Sequence, residues 1–389
     1  MSADAAPFVS FQQTLQAGGA AGLFERLIQS LLEKKDYHRI FDARLLKKKY
    51  ELGLPLHRPT SFDDVPANLR DEFEKAYTDA AREAGQLLLK DGKLSQAWMY
   101  FHAIRELEPI AAAVKAFPIP HEGGSQESEE MIDLALFKGL APAHGVELML
   151  RTHGTCSTIT SLDQQFHNLN AEDRGQCAAI LVRSLHRDLL HAVQHDVSKR
   201  MPFLPPATTL RELIAGRDWL FADNNYHIDV SHLHATVRFA RALRVESPEL
   251  ALAMDLTEYG SHLSPQFQYA GDPPFDDFYP AHREFFRFLA NDGREEALAY
   301  FQRKLEQEPD ESDRPMIAYV LVDLLARVKR YDEAIPLAER YLLPADEGFA
   351  DSFAEMCREA GRFDALLRVA ERRGDLVGYA SALLQQTPR

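Results

Sequence analysis

Apolar residues recur every three or four positions along almost the whole chain, the period of an amphipathic helix. Leu23, Leu27, Leu31 and Leu32 form a first stripe; Phe41, Leu45 and Leu46 continue a second after a break near Lys35–Asp36. Gly53, Pro55 and Pro59 end that second helix, the glycine as a C-terminal cap and the prolines because they cannot continue it. The pattern resumes in a helix from about Asn68 to Leu89, and a turn at 90–95 containing Gly92 leads into a helix that opens near Ala97. Two helices joined by so short a turn predict an antiparallel hairpin.

Prolines, glycines and then acidic residues at 117–130 mark a loop or domain border. From Met131 to Tyr269 the helices are less regular, with breaks expected at 152–160, 201–209 and 222–226, and Gly271-Asp-Pro-Pro274 marks the next border. The chain is therefore expected to be all-α, in three parts: an N-terminal helical region at 1–118, a central region at 131–270 and a C-terminal array at 275–389.

The last part repeats. Gly293-Arg-Glu-Glu-Ala297, Arg330-Tyr-Asp-Glu-Ala334 and Gly361-Arg-Phe-Asp-Ala365 align, with their alanines 37 and 31 residues apart. Each follows an apolar-periodic helix, at 278–290, 316–328 and 349–360. Glycine permits the tight turn, an acidic residue suits the positive end of the next helix, and a small alanine lets paired helices approach closely. Over residues 275–389 the chain resembles the tetratricopeptide family, whose repeat is ~34 residues long. The resemblance lies in the turn pattern; the early Trp and late Pro of the fuller repeat are absent. It implies stacked antiparallel hairpins, a solenoid with a concave face that holds a protein or peptide partner.

Composition narrows the class. No apolar stretch approaches the ~20 residues of a membrane span, and the first thirty residues lack the basic start and apolar run of a secretory signal. Cys156, Cys177 and Cys357 are odd in number and widely spaced, which points to a reducing, cytoplasmic setting without disulfides. The net charge of −15 opposes nucleic-acid binding. The one basic cluster, Lys34, Lys35, Arg39, Arg44 and Lys47 to Lys49, is interrupted by Asp36 and Asp42 and reads as a solvated helix face.

Histidine is the unusual residue: eleven of fifteen fall between His121 and His262. In Tyr226-His-Ile-Asp-Val-Ser-His-Leu-His234, a turn through Asn224 and Asn225 leads into a helix starting near Asp229 or Ser231. His227, Asp229 and His232 could then converge on one Zn²⁺ or Fe²⁺ with open positions for water or substrate. The competing account makes Asp229 a helix cap, pairs His227 with a helix end, and leaves His234, Arg238 and Arg241 on a solvated face. His191 and His195, four apart on a helix, form a second candidate pair, but Ala192 stands where a zincin would carry its glutamate base. His153 lies three residues before Cys156 in an expected polar loop, with a thiolate–imidazole pair set against a buried cysteine in a capped turn.

No phosphate-binding glycine loop and no nucleophile elbow occurs. The aromatic residues at 275–288 read as hairpin core and docking surface, a base-stacking platform requiring adjacent cations and strands. Two functions follow: a helical-repeat binding or scaffold protein for a protein or peptide partner, or a metal-dependent enzyme centred on His227, Asp229 and His232, with His153, His191 or His195 completing the site. The sequence does not identify catalytic residues or an oligomeric state.

Overall fold

The computed structural model describes residues 6–120, 123–201 and 209–386. Among them all regular structure is helical, without a strand, and no helix is long and apolar enough to cross a membrane. The chain divides into two compact units, 1–154 and 155–389. The borders expected at 117–130 and 271–274 fall inside these units.

The first unit contains α1 (Ala6–Glu33), α2 (Tyr37–Glu51), α3 (Arg70–Lys90), α4 (Leu94–Ala103), α5 (Glu108–Lys115), α6 (Gln126–Ile132) and α7 (Pro142–Thr152). Asp36 caps α2 by accepting the Arg39 N–H, and Gly53, at φ 68°, closes its other end. Phe41 and Leu45 of α2 pack on Phe73, Ala80, Ala81 and Ala84 of α3. At Gly85 the ring of Phe101 comes so near that a Cβ would lie 3.1 Å from it, which sets the α3–α4 spacing.

The basic cluster is not simply a solvated face. Lys49 is fully buried; its ammonium donates to the Arg58 carbonyl at 2.6 Å and to Asp64 Oδ1 at 2.7 Å, tying the following loop to α2. Arg44 pairs with Glu83 at 2.7 Å, Lys48 with Glu72 at 2.6 Å, and Lys35 with Asp91. Acids of α3 and of the turn after it thus neutralise much of the cluster.

The second unit begins within α8 (Gly154–Gln165) and continues through α9 (Ala171–Arg200), α10 (Leu210–Ile214), α11 (Val230–Ala240) and α12 (Glu249–Ser261). The expected break at 152–160 is corrected: Gly154, at φ 76°, interrupts the helix for a single step and α8 starts at once. Cys156 accordingly sits exposed in a first helical turn, neither in a loop nor buried. Asn170 caps α9, whose Cys177, Leu181, Leu185, Leu189, Val193 and Val197 form a buried stripe facing α11 and α12. The break expected at 201–209 lies for the most part outside the described residues.

Beyond it run α13 (Phe278–Ala290), α14 (Arg294–Gln307), α15 (Arg314–Arg327), α16 (Tyr331–Leu337), α17 (Ala350–Ala360), α18 (Phe363–Arg373) and α19 (Leu376–Gln386), each packed on the next. Ala297, Ala334 and Ala365 are all completely buried. Left-handed residues stand at the turns before them: Asn291 and Gly293, Lys329, and Gly361.

The border expected at 271–274 separates no domains because α12 and α13 touch too intimately. Gly260 faces the buried ring of Tyr279, and a Cβ there would collide with it. Gly260→Ala is expected to destabilise the second unit by about 1–3 kcal/mol, the cost of overpacking a filled core. Urea unfolding followed by circular dichroism checks this; an unchanged midpoint would mean that the two helices are not in contact.

Candidate functional site

The dense histidine segment folds around a helix start. Asp223 and Asn224 take left-handed backbone conformations (φ 55° and 61°), which these side chains tolerate, and turn the chain toward α11. Asp229 caps that helix: its Oδ1 accepts from the Ser231 N–H at 2.8 Å, the Ser231 hydroxyl at 2.6 Å and the His232 N–H at 3.4 Å. The Ser231 hydroxyl bond, with the backbone bonds beside it, holds the carboxyl below its usual pKa range. This carboxylate is occupied in satisfying the free N–H groups of a helix end.

His227 turns elsewhere, its side chain only 5% exposed. Its backbone N–H donates to the Tyr259 oxygen at 2.8 Å, so the phenol proton is directed to Nδ1, at 3.0 Å. The remaining ring N–H, on Nε2, donates to Asp196 Oδ2 at 3.3 Å. This assignment of protons is the one in which every group finds a partner. Burial lowers the His227 pKa and Asp196 partly offsets it. Tyr259 is itself fully buried, so the Tyr259–His227–Asp196 chain ties α12, the 227 turn and α9 together.

The other candidates stand apart. His232 is half-buried in the first turn of α11, and His191 and His195 are exposed on α9. His153 belongs to the first unit, where Nε2 lies 3.0 Å from Glu129 Oε1 and Nδ1 lies 2.7 Å from Thr152 Oγ1. His121 is outside the described residues. Among the described residues no three His, Cys, Asp or Glu side chains are grouped so that they could hold a metal ion.

What the structure does build is a groove of about 1470 Å³ in the second unit. Its walls include His234 and Arg238 of α11, Arg241 just past its end, Phe275 from the loop before α13, Phe278, His282 and Phe285 of α13, and Tyr319, Asp323 and Arg327 of α15. A hollow of about 370 Å³ adjoins it, sharing Tyr319, Asp323 and Phe349 and reaching Tyr331 and Met356. Arg241 is half-buried with its guanidinium over the Phe275 ring, 4.8 Å from the centroid. The solvated face expected for His234, Arg238 and Arg241 is thus a groove wall, and the aromatic residues at 275–288 do have cations beside them.

The histidines of this wall are neutral. His282, 1% exposed, has ring contacts at 4.2 Å with both Phe275 and Phe278, and its Nδ1–H donates to the Phe278 carbonyl at 2.7 Å. His234 stacks on Phe278 at 4.0 Å. Burial brings His234 down to about 4, with Arg238 adding to the effect. Burial likewise brings His282 down to about 3; the nearby Arg241 charge adds to it and the bond to Phe278 opposes it.

A pH dependence follows. In the unfolded chain these histidines titrate near 6.5, so below that pH the unfolded state binds more protons and the fold loses stability. For His282 the loss approaches about 1.4 kcal/mol per pH unit between about 6.5 and the folded value; the more solvated His227 and His234 add less. His282→Phe, which keeps the ring contacts, should flatten the fall in urea-unfolding free energy between pH 6.5 and 4. An unchanged slope would show that His282 is solvated in the fold.

No protein-family model, curated protein or solved structure matches this chain.

Proposed function

We propose that the chain is a helical-repeat binding protein that holds an extended, mainly apolar segment of a partner protein along the groove of its second unit. Helices α13 to α18 then form three tetratricopeptide-like hairpins, a view supported by the consecutive helix contacts, the buried alanines and the left-handed turn residues. The observation that carries the proposal is the groove's size and lining. Its volume exceeds the ~300–1,000 Å³ of ordinary small-molecule pockets, and the adjoining hollow prolongs it. Exposed apolar side chains lie along it, Tyr319 at 56% and Met316 at 42%. Such groups favour an apolar segment, and the half-buried cation of Arg241 favours one that also carries an acid.

A random peptide library displayed on phage and panned against the full chain tests this. The expected result is a family of peptides sharing an apolar pattern, whose affinity falls about tenfold with Tyr319→Ala, the loss of one central aromatic anchor. Tyr319 is exposed, so the variant keeps its core. Failure to enrich any family sensitive to Tyr319→Ala would sink the proposal.

A further inference from the structure

The cations around the groove are not equivalent. Arg238 donates to Asp163 at 2.7 Å, and Arg244 pairs with Glu172. Arg327 is saturated: it pairs with Asp323 at 2.9 Å and donates from Nη1 to the main-chain carbonyls of Arg241, at 2.7 Å, and Leu243, at 3.3 Å. The Arg241 side chain makes no ion pair and no hydrogen bond among the described residues; the Phe275 ring is what its guanidinium rests on. One face of this half-buried guanidinium is covered by the ring, and its five N–H donors are those best matched to a planar, bidentate acceptor.

The geometry points to Arg241 as a subsite for a single carboxylate, the aspartate or glutamate side chain of an otherwise apolar ligand. This inference rests on the groove being the ligand site and specifies one position within it. The charges that bear on Arg241 are those of Arg238, Arg327 and Asp323. Since both arginines already face acids, one uncompensated positive charge remains. A carboxylate balances it. A phosphate dianion would bring a second negative charge toward Asp323 with no cation to meet it. Arg174 also lines the groove but is not among the charges acting on Arg241. Arg327 is a positioning residue here: by gripping the carbonyls at the end of α11 it fixes the backbone from which Arg241 projects.

The experiment reads the arginine Nε–Hε resonances of the full chain by NMR, with Arg241 identified by the signal missing from Arg241→Lys. Sodium acetate and sodium phosphate are titrated as probes against a sodium chloride control of equal ionic strength. The expected result is a saturable shift of the Arg241 signal with acetate and a weaker one with phosphate. In peptides from the library, replacing the acidic residue by its amide should cost about tenfold in affinity for the native chain and little for Arg241→Lys, which keeps the charge but not the fork. An Arg241 signal unmoved by acetate, or moved as strongly by phosphate, overturns the inference. Because peptide capture is read through Tyr319, groove binding that survives such a result would sink the subsite alone.

Discussion

Gly260 brings the backbone of α12 against the ring of Tyr279, and this approach fixes how the helices before residue 261 and those after residue 278 share one core. With a side chain at 260 the ring, and α13 with it, would have to move away. Tyr279 is followed on α13 by His282, Phe285 and Phe286, all buried, and His282 and Phe285 also line the groove. The floor of the groove therefore depends on the absence of a side chain on the neighbouring helix. Interiors packed to crystal-like density transmit such constraints because they have little room to absorb them. Helices α12 and α13 consequently pack as neighbours within the second unit.

A second tie runs between α15 and the end of α11. The last carbonyls of a helix lack internal partners and carry partial negative charge, and Arg327 supplies both donors and positive charge to that region. Asp323, one turn earlier on α15, holds the Arg327 guanidinium in place. This arrangement uses Arg327 in holding the backbone together and leaves the neighbouring Arg241 with only an aromatic ring. The Tyr259–His227–Asp196 chain performs a comparable task at the other end of α11, joining α12 and α9 around the helix start. Polar side chains that look catalytic when met singly are here consumed in satisfying buried groups, as the cost of an unpaired polar group in an interior requires.

Local features were legible in the sequence because they are decided locally. The break at Lys35–Asp36, the Asp229 cap, the Gly53 stop, the α13, α15 and α17 boundaries and the buried Ala297, Ala334 and Ala365 all follow from residues within a few positions of one another. The missed features depend on residues far apart in the chain. Nothing near Arg241 announces that Phe275, thirty-odd positions later, will lie beneath its guanidinium, and nothing near Lys49 shows that Asp64 will receive it in the interior. Polar stretches misled in the same way. The segment Thr-His-Gly-Thr-Cys-Ser at 152–157 has the composition of a loop, yet Gly154 takes the one left-handed conformation in it and the residues after it are helical. The histidine density at 121–262 signalled a site, but its described members include residues on exposed helix faces, in a buried hydrogen-bond chain and on the groove wall.

Net charge and local charge then act at different ranges. At physiological salt the field of an exposed charge is screened beyond about 8 Å, so the −15 of the whole chain bears on an approaching ligand mainly through groups close to its path. A strongly acidic ligand would meet that repulsion over its whole length, whereas an apolar segment with one acid meets it at a single point. Inside the groove the balance reverses, because a charge beside aromatic rings and neutral histidines is poorly screened and its pairing strengthens. The burial that disfavours charge on His234 and His282 acts in the same sense, since a second cation beside Arg241 would add repulsion within the groove. The proposed carboxylate subsite would accordingly rest on short-range pairing, within the same close packing that disfavours charge on the two histidines.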